Sequence, residues 1–322
     1  MRSPLVIILG LLVLFLGLGF VLPEWIVFQL GIALAKGLVV LGVVLLMRAG
    51  LVSFGQGLFF AASAYAVAFA MKLFAIREAV ILAGIGTVTG LVVATLVGLL
   101  MARYREIFFA MLSLAFSMIL YGVLVKAYRI TGGSDGMGVA TPTLLGVALA
   151  PGRLRVGLYA FTLVGVAGVT YLVYRYADSP LGYAARAVRD NEVRVEYLGI
   201  SAGRAIYLTY LLAGGLGGLG GALVALNVGH VDPQMAYWTT SGEFLFVAVL
   251  GGTASVYAPL VGSLVFELVR TYAFKYVPYT WQMALGVVML VIIMFVPGGL
   301  WSLYQATTRS ARRWRWSWRR SA

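Results

Sequence analysis

The chain has 322 residues, 62% of them hydrophobic and 11% charged, with a formal net charge of +13 and no cysteine. A mean hydropathy of +0.98 over that length excludes a soluble globular enzyme and means a polytopic membrane protein. The missing cysteines exclude a disulfide framework and a thiolate metal site. In a soluble chain the positive charge would suggest nucleic acid; here it reflects loops and a tail facing anionic lipid, and no nucleic-acid partner is expected.

Runs such as 5–22 and 281–296 are apolar on every side, so the spans are helices rather than strands with a period of two. Ten spans are predicted, at 4–22, 30–47, 51–71, 79–101, 107–125, 157–175, 204–226, 241–252, 259–274 and 280–297. The first has the basic start and apolar core of a signal peptide. It lacks a small-x-small cleavage site and runs into Pro23-Glu24-Trp25, so a retained helix is expected.

The third and eighth spans are irregular. SFGQG (53–57) and GGTAS (251–255) carry glycine and hydroxyl groups where a plain span carries leucine. Broken helices at membrane depth are tolerated only where they line protein or a cavity. Ser53, Gln56, Ser63, Thr253 and Ser255 are therefore expected on a translocation path, with Glu243 at its outer mouth. AASAYAVAF (61–69) and TASVYAPLV (253–261) share A-S-x-Y-A, a weak internal echo that would pair the two broken segments.

TGGSDG (131–136) reads either as a tight outer turn or as an outer docking loop presenting Gly132, Gly133 and Asp135. The densest charge lies at 179–200, SPLGYAARAVRDNEVRVEYLGI. Ser179 is a good N-cap, Pro180 suits the first helical position and Gly199 a C-terminal stop. One helix is expected between them. Ala184, Ala187, Val188, Val195 and Leu198 form its apolar stripe, interrupted by Asn191, and Arg186–Asp190, Arg189–Glu192 and Asp190–Arg194 are at pairing distance. A helix resting on lipid should carry bulkier side chains; this one suits docking on protein.

GGLGGLGG (214–221) matches a dinucleotide fingerprint formally but lies inside a span with no preceding strand. Gly214/Gly218 and Gly217/Gly221 read as small-xxx-small packing faces, and no bound cofactor is expected. His230 stands alone near Asp232, too few ligands for a metal. Lys36, Glu243, Glu267 and Arg270 lie in or near spans; Glu267 and Arg270 are three apart and are expected to neutralise each other. The tail, 305–322, interleaves Arg309, Arg312, Arg313, Arg315, Arg319 and Arg320 with Trp314, Trp316 and Trp318, which suits an anchor on membrane lipid. The Lys and Arg distribution then places both termini on the cytoplasmic side.

Four motifs carry a family resemblance. S-P-x-G…A-x-R-A-V-R-x-N-E-x-R…E-x-L-G-I in the charged island resembles the cytoplasmic coupling loop of branched-chain amino-acid ABC-transporter permeases of LivM type. GLVSFGQGLFFAASAY (50–65), TGGSDGM (131–137) and VLGGTASVYAPLVGSL (249–264), with the closing VPGGL (296–300), resemble further segments of that family in order. Tyr183 stands where the family usually has Arg, Gln56 where it often has His, and Ala61, Ser63, Ala254 and Ala258 replace usual glycines.

The resemblance implies one all-α polytopic permease domain over 1–322. It would have about ten transmembrane helices, two of them broken, and a cytoplasmic coupling helix in a loop at 176–203. It implies a bacterial or archaeal cytoplasmic (inner) membrane location and no chemistry in this chain. Its partners would be a second, LivH-type permease, two cytoplasmic ATPase subunits that use ATP, and a periplasmic or surface solute-binding protein. Arg186, Arg189, Asp190, Asn191, Glu192, Glu196 and Gly199 would meet the ATPase. Branched-chain amino acids are the implied solutes, with urea or short amides as related ones.

Overall fold

The computed structural model describes residues 4–303 except 277 and 297; the basic tail and Arg2 lie outside the described residues. In chain order the helices are α1 (Pro4–Val21), α2 (Glu24–Arg48), α3 (Gln56–Phe74), α4 (Ala79–Met101), α5 (Glu106–Lys126), the single turn α6 (Tyr128–Thr131), α7 (Pro151–Ala177), α8 (Pro180–Asp190), α9 (Glu192–Tyr197), α10 (Ala202–Val228), α11 (Trp238–Gly251), α12 (Ala258–Tyr276) and α13 (Trp281–Phe295). Short strands β1 (Met137–Gly138) and β2 (His230–Val231) pair antiparallel, Met137 opposite Val231. The protein is all-α. Six described helices (α2, α3, α4, α5, α7 and α10) are long and apolar enough to cross a membrane. The other four expected spans coincide with α1, α11, α12 and α13.

α10 packs on α2, α3 and α4 and is the axis of the bundle. Glycine makes this approach close enough, and each row of glycines serves a different neighbour. A Cβ on Gly218 would lie 2.6 Å from the Gly86 carbonyl oxygen and 2.9 Å from the Gly90 Cα of α4. One on Gly217 would lie 2.9 Å from the Phe59 Cβ of α3, and one on Gly220 2.8 Å from the Ala35 carbonyl oxygen of α2. The small-residue faces read from the sequence are thus contacts within one chain. Apart from Lys36, the central turns of α2 are apolar all round and buried, as such a helix must be. α4 instead turns Val88, Val92, Leu96 and Leu99 outward and keeps Gly86, Gly90 and Ala94 inward.

Two segments run through the bundle without α-helix. Residues 51–55 separate α2 from α3, so the third expected span begins as extended chain and becomes helical only at Gln56. Gly50 packs on Arg189 of α8, while Gln56 lies beside Gly217, near the middle of α10. The extended segment therefore covers about half the length of α10. The second such segment follows β2. A 3₁₀ turn over Pro233–Ala236 dips from the β2 end until the Ala236 carbonyl meets Ser117, near the middle of α5. The expected spans leave this stretch in the loop between 226 and 241.

The charged island departs from expectation in its backbone. It is two helices, not one. Asn191 is extended at φ −165°, and its side chain caps α9 by accepting from the Arg194 N–H at 3.0 Å. An Asn side chain competes with helix continuation by bonding the backbone ahead of it, which explains the break.

Candidate functional site

The two non-helical segments meet. α3 and α11 begin close together, and the Gly57 N–H donates to Ser241 Oγ at 3.0 Å. The backbone here is satisfied by hydroxyls rather than by helix. The Phe54 N–H donates to Ser113 Oγ at 3.0 Å and the Gly55 N–H to Ser53 Oγ at 3.2 Å. Ser117 Oγ donates to the Ala236 carbonyl at 2.8 Å. A Cβ on Gly57 would come within 2.8 Å of Ser241 Oγ, so glycine permits the junction. Irregular backbone this deep in an apolar bundle survives only where protein supplies such partners.

Ser53, Gln56 and Ser63 are fully buried along this seam. Both amide atoms of Gln56 and the hydroxyl of Ser63 have no hydrogen-bond partner among the described residues. Gln56 faces Gly217 and Ser63 faces Gly218, so these polar groups point at the axis helix. Thr253 and Ser255 lie elsewhere, in the turn between α11 and α12. The Thr253 carbonyl accepts from Arg48 Nε at 2.7 Å at the end of α2, and Ser255 Oγ accepts from the Tyr257 N–H at 3.3 Å. α11 separates that turn from the Gly57–Ser241 junction by about 15 Å at 1.5 Å per residue. The structure therefore joins 53–57 to 233–241 and not to 251–258.

At the Arg48 end, α8 and α9 lie across the ends of α2, α7 and α10. Ser179 Oγ accepts from the Gly182 N–H at 3.3 Å, and Gly199 at φ +81° ends the island. Ala184, Ala185, Val188 and Val195 are buried against the chain's own core, so the small apolar face is already occupied. Ala187 and Leu198, expected on that stripe, face outward. Arg186 donates to the Ala177 carbonyl and lies 4.6 Å above the Tyr183 ring. Glu192 accepts both Arg105 Nε at 2.9 Å and Nη2 at 2.7 Å, which ties α9 to the α4–α5 turn. Among the described residues no ion pair forms within the island. Arg189, Asp190, Asn191, Glu196 and Gly199 remain exposed. Beside them lie Val193, Tyr197 and Leu198, at 60%, 87% and 78% exposure.

At the opposite end, Gly132, Gly133 and Gly136 all have positive φ, and Gly133 is buried. The Thr131 hydroxyl donates to the Leu124 carbonyl at 2.6 Å and accepts from the Gly133 N–H at 3.3 Å. The glycines let the loop fold back against β2, while Asp135 stays exposed. Nearby, Glu78 accepts from the Leu145 N–H at 2.7 Å, the Gly146 N–H at 2.9 Å and the Thr143 hydroxyl at 2.9 Å. These bonds hold its carboxyl below the usual carboxylate range, the Gly146 N–H contributing most.

Residues 25–294 match the family described as branched-chain amino acid transport system / permease component. The chain belongs to this permease family. It is 26% identical over 275 residues to the high-affinity branched-chain amino acid transport system permease protein LivM of Escherichia coli K12, covering 78% of this chain and 64% of that protein. It is 26% identical over 231 residues to the probable LivM of Methanocaldococcus jannaschii, covering 67% and 66%. A nucleoside ABC transporter permease protein, NupB of Lactococcus lactis, is 30% identical over 121 residues, covering 37% and 31%. No solved structure matches.

The permease is thus an integral membrane protein, and its intramembrane charges are paired across helices. Lys36 of α2 meets Glu267 of α12 at 3.2 Å, and Arg270 of α12 meets Glu243 of α11 at 3.4 Å. The local Glu267–Arg270 pairing expected from spacing is not formed. Ser113, Ser117, Ser241 and Arg105 were missed in the sequence because each is an isolated residue in an ordinary helix or turn. Only the glycine-rich SFGQG beside a span hinted that partners of this kind were required.

Proposed function

We propose that this chain is a membrane-spanning permease subunit of a binding-protein-dependent ABC importer in the inner membrane. Its solute is a branched-chain amino acid or a related small polar molecule. The helices at the ten expected spans cross the membrane, and the segments 51–55 and 233–237, which are not α-helical, interrupt the bundle beside the route. A second permease completes the path, and a solute-binding protein meets the end that carries Gly132, Gly133 and Asp135. ATP is bound and used by separate ATPase subunits that dock on α8 and α9 at the cytoplasmic end, where both termini also lie.

The observation that carries this reading is the build of α8–α9. Its Ala/Val face is buried on the permease, and Arg105 bolts it to a second turn. Its outer face presents Val193, Tyr197 and Leu198 among exposed charges. A large apolar patch rimmed by charge is the signature of a protein contact, and a rigid mount lets that contact transmit force. The test is reconstitution with a second permease, ATPases and binding protein. Tyr197→Ser with Leu198→Ser should leave insertion intact and uncouple ATP turnover from solute uptake. Solute movement by this chain alone on an ion gradient would overturn the reading.

A further inference from the structure

The two intramembrane ion pairs differ in kind. Lys36 and Glu267 are the more buried, their side chains 15% and 9% exposed, and only a cavity of about 60 Å³ lies beside Glu267. Arg270 and Glu243 share one contact at 3.4 Å, with side chains 33% and 26% exposed. Glu243 of the second pair lines a groove of about 820 Å³ between α11 and α13, walled also by Trp238, Phe246, Trp281, Leu285 and Met289, and Arg270 stands behind its Trp281 wall. Arg270 also lies 5.4 Å over the Trp281 ring. Gly286 of α13 has nothing within 4 Å where a side chain would begin, which keeps the groove wide. Charges facing hydrocarbon are strongly disfavoured, so in the membrane this groove faces water or protein rather than lipid.

We infer that the groove holds an α-amino acid in transit. The solute carboxylate bonds Arg270, its ammonium bonds Glu243, and its aliphatic side chain lies on Phe246, Leu285 and Met289. This inference rests on the importer reading above and names the contacts within it. A single long contact between the two side chains is replaced by two charge-assisted hydrogen bonds, and no net charge is added to the site. A solute lacking either charged group leaves Arg270 or Glu243 without its counterpart, and a site built for hydrogen bonding rejects such analogues strongly. The more exposed pair therefore selects zwitterions, while the cavity beside Glu267, about 60 Å³, is too small for an amino acid.

The native chain has no cysteine, so Gly286→Cys places a unique thiol in the groove. In the assembled transporter, a charged thiol reagent should label it, and millimolar leucine should slow labelling about tenfold, the size expected when charge-assisted bonds hold the solute. Leucinamide and 4-methylpentanoate, each missing one charge, should protect little. Adding Arg270→Gln should make leucine and leucinamide equally poor protectors, and Arg270→Lys should restore part of the difference. If the thiol never labels, or leucine does not slow labelling in a transporter that imports leucine, the groove assignment is overturned and the importer reading stands. If no assembled form imports leucine or any other amino acid, the importer's amino-acid specificity fails instead. Glu243→Arg with Arg270→Glu preserves net charge and checks assembly; assembly with unchanged leucine protection would also overturn the assignment.

Discussion

Two regions of this permease pack by opposite rules. Around α10, glycines bring four helices into backbone contact, and polar groups such as Gln56 and Ser63 are sealed in. Between α11 and α13, Gly242 and Gly286 border open space, a groove runs between the helices, and an ion pair is left partly exposed. The same residue type closes one region and opens the other. Whether a second backbone lies opposite each glycine makes the difference. A transporter needs both, since a scaffold that does not deform gives a moving wall something to move against.

The sharpest way to break this comparison is to put the same side chain in both regions. Gly218→Leu forces carbon into the Gly86 carbonyl and should cost about 3 kcal/mol or more, read as loss of monodisperse protein and of thermal stability in detergent. Gly286→Leu fills space and should stay within about 0.5 kcal/mol while reducing transport. Equal melting temperatures for the two variants would remove the distinction between a closed and an open region.

The ion pairs supply the next test. Lys36→Met strands the Glu267 carboxylate and should cost about 3–5 kcal/mol, whereas Lys36→Met with Glu267→Leu should recover most of it. At the end that carries α8 and α9, a double-mutant cycle on Arg105 and Glu192 should give a coupling energy of about 0.5–1 kcal/mol, because the pair is partly solvated. ATPase coupling should fall further than stability in Arg105→Ala if this tie transmits force.

The smallest effect belongs to Glu78. Its carboxyl is held below the ordinary range, so its stabilisation of the 143–146 turn is complete above that range and lost as pH falls through the depressed value. Hydrogen exchange at Leu145 and Gly146 should rise on acidification in the native chain and show no such step in Glu78→Gln. An unchanged pH dependence in that variant would show that the turn is held by other contacts.

Much of this fold is legible residue by residue. Apolar runs without a period of two require helices, Ser179 and Gly199 mark the ends of the island, and the GGLGGLGG rows announce close packing. These are consequences of local chemistry, because a helix end or a glycine face is complete within a few residues. Pairings across long sequence separation were not legible. Spacing joined Glu267 to Arg270, but α2 brought Lys36 to Glu267 from 231 residues away. The A-S-x-Y-A echo matched 53–65 with 251–258, but the hydroxyl of Ser241 and the carbonyl of Ala236 made 233–241 the true neighbour of Gly57. The helical membrane class, the family and the charged island were determined by the sequence alone. Only the tertiary structure decided which charge neutralises which, which face of the island stays free and where the two non-helical segments meet. In an apolar bundle, polar groups bond to whatever partner packing delivers.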